Sequence, residues 1–551
     1  MNGPGGSVRG AARARPRPRL DLGSIDGGSI VVAIAALAAL AVCLAVIRPF
    51  GPPMNDPDSA ASVVFFQHLV GGHRLEAMVT TTPKPVLTLV YGITWSLTHD
   101  WSALTWETIV VFVVGVALAA RLALAAGLPA AAGFIVVALV GWPELLLEVA
   151  HANSLPWAAT GWLLAGWALE RRPARPWLAA IAIFLAALAR IETFWLVGAA
   201  AAAILVLAAA GILARRAGRP AVAMVGIRRL SPIVVGGVLA LAVMCLHDWA
   251  LTGNPFFWAG VPASYTAIVD PDLRPIGLGQ FWNQLVVPHY RGDVPTIFLA
   301  VVGVVALGRL GRRTLAAGIV ALVAGVVLTL ALLSLRGVFV SDRYWEEADV
   351  ALRFAAAIGA GWLIRLAGRA LRTALRRDPL PPRLRVPALA ATGVIFALVL
   401  AWSVVARAEI EEPLATSREA SSHLDLIEPR LGRILAGAVG AVATEPGVEL
   451  PVVVPGAARL VAPREDLLRI AAETGAPLAA LGDSFLAFRA TNPADVLRPG
   501  QWVFHDAVVD GRGGRYTTLE VSQTTTVGAL RFVPVFVDPA AGIWLLRIAG
   551  G

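Results

Sequence analysis

Two carboxylates open the segment Asn55-Asp56-Pro57-Asp58-Ser59, which continues with Phe65, Phe66, Leu69 and Val70 at helical spacing and ends at Gly71-Gly72. An ionised carboxylate within hydrogen-bond reach of a hydroxyl can serve as a general base, and two carboxylates one residue apart can also share a divalent cation. The competing reading is structural, with Asp56 and Asp58 capping the helix that follows. Further along, Thr80-Thr81-Thr82-Pro83-Lys84-Pro85-Val86-Leu87 holds a cation between two prolines, hence on stiff, extended backbone. Near a membrane surface that cation could grip a lipid phosphate; a snorkelling interfacial lysine is the plain alternative. Lys84 is the only lysine in the chain. No glycine-rich turn precedes it, which excludes a P-loop ATPase. Cys43 and Cys245 are the only cysteines, and neither Cys-x-x-Cys nor His-Glu-x-x-His occurs, which excludes the common metal and disulfide scaffolds.

The elements that must position these groups are membrane spans. The chain has 551 residues, 57% of them apolar and 15% charged, with a mean hydropathy of +0.71, too apolar for an ordinary soluble domain. About eleven apolar runs are long enough to be read as spans. They cover roughly 30–47, 108–125, 130–147, 155–169, 177–188, 194–213, 233–246, 295–307, 315–335, 350–366 and 386–405. The shortest are 177–188 and 295–307. Residues 1–29 form a tail carrying Arg9, Arg13, Arg15, Arg17 and Arg19, and the first run reads as a signal anchor, with a cleaved signal peptide as the competitor. An inside N-terminus then places the loops with Arg171 and Arg175, Arg215 to Arg229, Arg309 to Arg313, and Arg369 to Arg385 on the cytoplasmic side. The net charge of +9 is explained by these loops and calls for no nucleic acid.

The same parity exports a first loop over 48–107, a loop over 252–293 and a loop over 336–349. Within the first, the apolar stretch Val86 to Leu97 ends in Thr98-His99-Asp100-Trp101 and reads as a helix lying at the outer interface. After 30–406, the transmembrane catalytic module, the composition becomes mixed, and 407–551 reads as an extracytoplasmic α/β domain. There Pro463 to Gly475 predicts a helix, Leu450 to Val454, Arg531 to Val537 and Ile543 to Ile548 predict strands, and Asp510-Gly511 predicts a turn. The fold class is thus a polytopic α-helical membrane protein with a C-terminal α/β domain. His247-Asp248-Trp249 and His289-Tyr290-Arg291 have no ligand spacing, so surface or sugar-stacking roles are expected of them.

The acidic first loop and the Lys84 segment together resemble the polyprenyl-phosphate-sugar-dependent membrane glycosyltransferases of the GT-C superfamily, particularly the protein-mannosyltransferase and aminoarabinose-transferase-like group. In that group the first outer loop has an acidic residue, an amphipathic helix ending near a glycine, and then Lys-Pro-Pro-Leu. Here Asp58, Gly71 and Lys84-Pro85-Val86-Leu87 stand at those places, with Val86 replacing a proline. Leu188-Ala189-Arg190 resembles the family's Leu-x-Arg, Leu251-Thr252-Gly253-Asn254-Pro255 its Gly-Pro loop, and Asp342-Arg343-Tyr344 its Arg-Tyr motif. The resemblance runs in order from about Arg48 to Val405. Two places depart from it: Ser59 stands where a second acid is common, and His151-Ala152-Asn153 stands where another acid is expected. Either Asn153 orients a substrate, or Glu144 or Glu148 substitutes.

The resemblance implies an integral-membrane glycosyltransferase that moves a hexosyl or pentosyl group from a polyprenyl-phosphate carrier to a glycan, lipid or protein acceptor at the outer face, with inversion. Asp58 would be the base and Asp56 its helper. Lys84 and Arg343 would bind phosphate, and Tyr344, Asn153, His151 and Arg190 would complete the substrate site. On its own, Arg343 reads first as an interface anchor or an ion-pair partner of Asp342 or Glu346, and Arg190 as a partner of Glu192. No cofactor is required by this mechanism, and a divalent cation is left open. A transporter or flippase of lipid-linked saccharides is the alternative; it predicts ionisable groups near span centres and paired broken helices.

Overall fold

The computed structural model describes residues 27–47, 57–72, 74, 82–171, 173–216, 223–269 and 273–374, together with 460–461, 499, 502–506, 524–527, 530–538 and 543–550. The helices in chain order are α1 (Gly27–Ile47), α2 (Pro57–Gly71), α3 (Pro85–Thr98), α4 (Trp101–Ala125), α5 (Pro129–Ile135), α6 (Pro143–Ala150), α7 (Leu155–Glu170) and α8 (Pro176–Ala189). Then come α9 (Phe194–Arg216), α10 (Ala223–Thr252), α11 (Phe257–Val269), α12 (Leu278–Phe281), α13 (Val287–Tyr290), α14 (Val294–Arg309), α15 (Arg313–Leu335) and α16 (Glu346–Ala374). Proline recurs as the first residue of a helix, as in α3, α5, α6 and α8, where its fixed φ suits the first turn and its missing N–H costs nothing.

The apolar runs expected from 30–47 through 350–366 all fall on helices, and the run 386–405 lies outside the described residues. By length and apolarity, six described helices can cross a membrane, or up to eight if each of two bent pairs counts as one span. The run over 130–147 is not one straight rod. A π-helical turn at Val136–Val140 and the break Gly141-Trp142-Pro143 bend its halves by 66°. Likewise α14 follows the segment Leu278–Tyr290 at 93°. The stretch expected at the interface is α3, whose 14 residues reach about 21 Å, short of the ~30 Å hydrocarbon core.

Small residues decide how closely the helices pack, because lipid tails offer no hydrophobic drive for helix association. A Cβ on Gly303 or Gly359 would collide with the backbone of the facing helix, so α14 and α16 meet backbone to backbone. A Cβ on Gly92 would collide with the Phe66 ring, which sets the approach of α2 to α3. One apolar core joins α1, α4, α5, α7, α14, α15 and α16; a second, built on Ala61, Val64, Phe65, Leu87, Tyr91 and Leu104, ties α2 and α3 to α4, α7, α8 and α10.

The bundle has two chemically distinct ends. At one end, Arg312 bonds Glu170 at 2.6 Å and the Ala125 carbonyl, and Arg365 bonds the Gly127 carbonyl at 3.3 Å. The other end gathers the start of α2, the start of α3, the α6–α7 junction, the α8–α9 junction and the start of α16. From Glu346 to Arg365 along α16 the two ends are about 29 Å apart.

In the C-terminal part, β1 (Leu460–Val461), β2 (Trp502–Asp506), β3 (Thr525–Val527), β4 (Leu530–Asp538) and β5 (Ile543–Gly550) form a sheet of order β1-β2-β5-β4-β3. The β1/β2 pair is parallel and the other pairs are antiparallel, with a register shift between Pro534 and Phe536. The strands expected at 531–537 and 543–548 are β4 and β5. The expected strand at 450–454, helix at 463–475 and turn at 510–511 lie outside the described residues.

Candidate active site

Asp58 lies in the first turn of α2, one residue after the proline that starts it. Ser59 fixes this turn by donating from its hydroxyl to the His151 carbonyl at 3.0 Å, and Ser62 closes back on the Asp58 carbonyl. Lys84 sits immediately before Pro85 in extended conformation, φ −122° and ψ 90°, as a residue preceding proline should. Because α2 and α3 pack through Phe66 and Gly92, the two helix starts converge. The Lys84 ammonium then stands 3.3 Å from Asp58 Oδ2, with the two side chains only 15% and 17% exposed.

Arg343 reaches the same carboxylate from the 3₁₀ turn Asp342–Tyr344. One guanidinium nitrogen is 3.5 Å from Asp58 Oδ2 and the other 3.4 Å from Glu148 Oε1. Arg343 is 38% exposed, so the cluster opens to solution on its side. Of the partners expected for it, Glu346 also bonds Arg190, at 3.1 Å, and the Asp342 side chain lies outside the described residues.

Glu148 arrives through the 66° bend, which turns α6 so that its last turn faces α2. Asn153 donates to Glu148 Oε1 at 2.9 Å, while Glu148 Oε2 is buried with no hydrogen-bond partner among the described residues. Ala152 between them has φ +55°, a left-handed conformation costing about 1 kcal/mol or more for a residue with a Cβ. Tyr91 holds it there: its hydroxyl donates to the Ala152 carbonyl at 2.8 Å and accepts from Trp157 Nε1 at 3.1 Å. Complete burial pushes the Tyr91 hydroxyl well above the usual tyrosine range, so it remains a neutral donor.

Behind Arg343 lies a second, denser charge cluster. Arg190 is 9% exposed and contacts Glu346 at 3.1 Å, Glu192 at 3.7 Å and the fully buried Glu347. Its remaining nitrogen donates to the Arg343 carbonyl at 3.2 Å. Arg190 therefore stands behind the opening, where it fixes the backbone of the arginine that faces it.

The sequence-derived site residues thus separate into three groups. Asp58, Lys84, Arg343 and Asn153 converge, with Asn153 linked through Glu148. His151 contributes its carbonyl, Arg190 lies one layer back, and Tyr344 packs beside the apolar cluster of Phe281, Val286 and Trp345. Asp56 lies outside the described residues. Of the two acids weighed as substitutes, Glu148 is in the cluster and Glu144 is exposed. Sequence reasoning missed Tyr91 and Glu347; the run Glu346-Glu347 before an apolar span was the available signal for the latter.

In the two histidine clusters Trp249 and Arg291 are exposed, while other members are engaged within the fold. Asp248 is fully buried and accepts from the Trp258 backbone N–H at 2.8 Å, holding the start of α11. His289 is stacked on Trp345, ring centroids 4.9 Å apart, and pairs with Asp349 at 3.0 Å. Among the described residues, no group of three or more His, Cys, Asp or Glu is arranged to hold a metal ion.

Comparison with solved structures places this architecture. The crystal structure of ArnT from Cupriavidus metallidurans bound to undecaprenyl phosphate superposes with a TM-score of 0.52, covering 96% of this chain and all of that one at 14% identity. The chain has the GT-C fold. Other GT-C structures matched are the Archaeoglobus fulgidus oligosaccharyltransferase in the apo form, with a TM-score of 0.49, 14% identity and coverage of 88% of this chain and 70% of that one, and the same organism's AglB with an inhibitory peptide and a dolichol-phosphate, at 0.46, 13%, 88% and 70%. No protein-family model matches the chain, and no curated protein matches it.

Proposed function

We propose that this chain is an integral-membrane glycosyltransferase that moves a sugar from a polyprenyl-phosphate carrier to an acceptor hydroxyl on a glycan, lipid or protein at the extracytoplasmic face. The observation that carries this reading is the convergence of Lys84 and Arg343, from segments remote from each other in sequence, on one carboxylate, Asp58, at one end of the helix bundle. The solved ArnT structure, which shares this fold, was obtained with undecaprenyl phosphate bound. The reading also assigns the run 386–405 as an eleventh span, the arginine-rich end to the cytoplasm, and 407–551 to an outer domain.

The chemistry is a single inverting displacement. The acceptor oxygen attacks the anomeric carbon as the bond from that carbon to the phosphate oxygen breaks, and the bonding pair leaves with the phosphate. The acceptor proton passes to Asp58. Before substrate binds, Asp58 neutralises Lys84 and Arg343; an incoming phosphate takes over those two cations and frees the carboxylate to accept a proton. The donor therefore binds before the acceptor. Positive charge at the leaving group comes from Lys84 and Arg343, so the reaction has no stringent need for a metal ion. Arg190 positions Arg343, while Glu148 and Asn153 hold its guanidinium on the far side.

The transporter alternative expects broken helices, and two bent pairs occur. Yet the ionisable clusters described above sit at helix ends, as chemistry at a membrane surface requires. Transfer of radiolabelled sugar from a panel of polyprenyl-phosphate sugars, in membranes with wild type or Asp58→Asn at equal expression, separates the two. Transfer by wild type alone is expected. No donor consumption, with labelled lipid changing leaflet equally in both, establishes the transporter.

A further inference from the structure

Away from the charged cluster, α7, α9, α10, α15 and α16 line a half-open cleft of about 900 Å³. Its wall is almost wholly apolar, represented by Leu163, Leu196, Ala203, Leu207, Ile319 and Phe354. Along α9 the lining runs from Leu196 to Gly211, about 22 Å at the helical rise and so most of the hydrocarbon thickness. An open apolar cleft of this size among membrane-embedded helices calls for an apolar filler. Water does not suit it, because each buried water needs two to four polar partners and the wall offers few. In a bilayer the filler that matches a long apolar slot is a lipid hydrocarbon chain.

One end of the slot specifies the headgroup. Arg229 on α10 and Arg313 on α15 line the cleft and are exposed, both at the arginine-rich end of the bundle. The acid beside them, Glu170, is engaged by Arg312 at 2.6 Å, and among the described residues no other carboxylate lines the cleft. Basic pockets between spans at that face suit anionic phospholipid headgroups. The Lys84 and Arg343 cations lie at the opposite end, so a lipid anchored on Arg229 and Arg313 has its phosphate in the other leaflet from the proposed donor. We infer that this cleft is a binding site for an anionic phospholipid, with an acyl chain in the slot and the phosphate on Arg229 and Arg313. The inference requires only that the chain resides in a bilayer and is independent of the chemistry at Asp58.

The test uses the full chain purified in neutral detergent and titrated with phosphatidylglycerol, phosphatidylcholine or sugar-free polyprenyl phosphate, read by native mass spectrometry and by the thermal unfolding midpoint. Wild type and Asp58→Asn are expected to retain phosphatidylglycerol in preference to phosphatidylcholine and to gain stability from it. Arg229→Gln/Arg313→Gln should weaken that binding by roughly fivefold per arginine. Gly318→Leu should abolish it while keeping its fold, because a Cβ at Gly318, which lines the slot, meets nothing within 4 Å. Equal retention of phosphatidylcholine, or phosphatidylglycerol binding unchanged in both variants, overturns the inference. So does preferential retention of polyprenyl phosphate that is lost in Gly318→Leu and kept in the arginine pair, which would give the slot to the carrier's tail. Loss of sugar transfer in Asp58→Asn with lipid binding intact tells the two proposals apart.

Discussion

Replacing Arg190 with glutamine should be the most damaging single change in the charged cluster, first through stability and then through activity. Arg190 is the cation shared by Glu192, Glu346 and Glu347, and Glu347 is fully buried. Removing one partner of a buried pair leaves an uncompensated charge and costs about 3–5 kcal/mol. For a chain of this length that corresponds to a fall of about 3–5 °C in the unfolding midpoint, at about 1 °C per kcal/mol. Glu347→Gln should cost much less, because Arg190 keeps Glu346 at 3.1 Å and Glu192 at 3.7 Å. The double variant should recover about half of the single arginine loss, a coupling of about 2 kcal/mol, in the range for residues in direct contact. The assay is the midpoint of tryptophan-fluorescence unfolding in detergent for the four members of the cycle. Sugar transfer should fall in Arg190→Gln as well, because the Arg343 carbonyl loses its 3.2 Å donor. An Arg190→Gln midpoint within about 1 °C of wild type, or a double variant that simply sums the singles, would refute the reasoning, since either means the carboxylates do not depend on Arg190.

Three further outcomes follow from the geometry. Arg343→Lys keeps one charge but cannot bridge Asp58 and Glu148, so kcat for sugar transfer should drop by about 10²–10³, with a smaller change in KM. Gly359→Ala should destabilise by about 1–3 kcal/mol or more, because its Cβ collides with the backbone of α14, whereas Gly318→Ala, facing open space, should be neutral or stabilising; unfolding midpoints of the pair check this. Tyr91→Phe should cost about 1–3 kcal/mol by leaving the Ala152 carbonyl and Trp157 Nε1 without their partner. Because burial raises the folded-state pKa of Tyr91, its contribution should stay constant with pH up to the ordinary tyrosine value near about 10 and be lost above it, as a pH series of wild type against Tyr91→Phe would show.

Local readings carried furthest where they depended on residue type. A lysine between prolines had to be extended, and Lys84 is. The count of eleven spans was less secure, since hydropathy does not register the π turn at Val136–Val140 or the bends that follow. Asp58 and Lys84 were visible as candidates because they share one loop and stand 26 residues apart. Glu148 entered only as a substitute for a missing acid, and Tyr91 gave no signal, because its role is to hold a backbone carbonyl from a loop distant in sequence.

By itself the sequence determined that this chain belongs in a membrane, where its helices begin, and which of its side chains could take part in chemistry, because hydropathy, proline and charge act over a few neighbouring residues. Tertiary structure alone decided that Arg343 bridges Asp58 and Glu148 while Arg190 stands behind it holding the Glu346-Glu347 pair. Those pairings join segments as many as 285 residues apart, from Asp58 to Arg343, and they exist only once glycine-mediated packing and a bent span have brought the helix ends together.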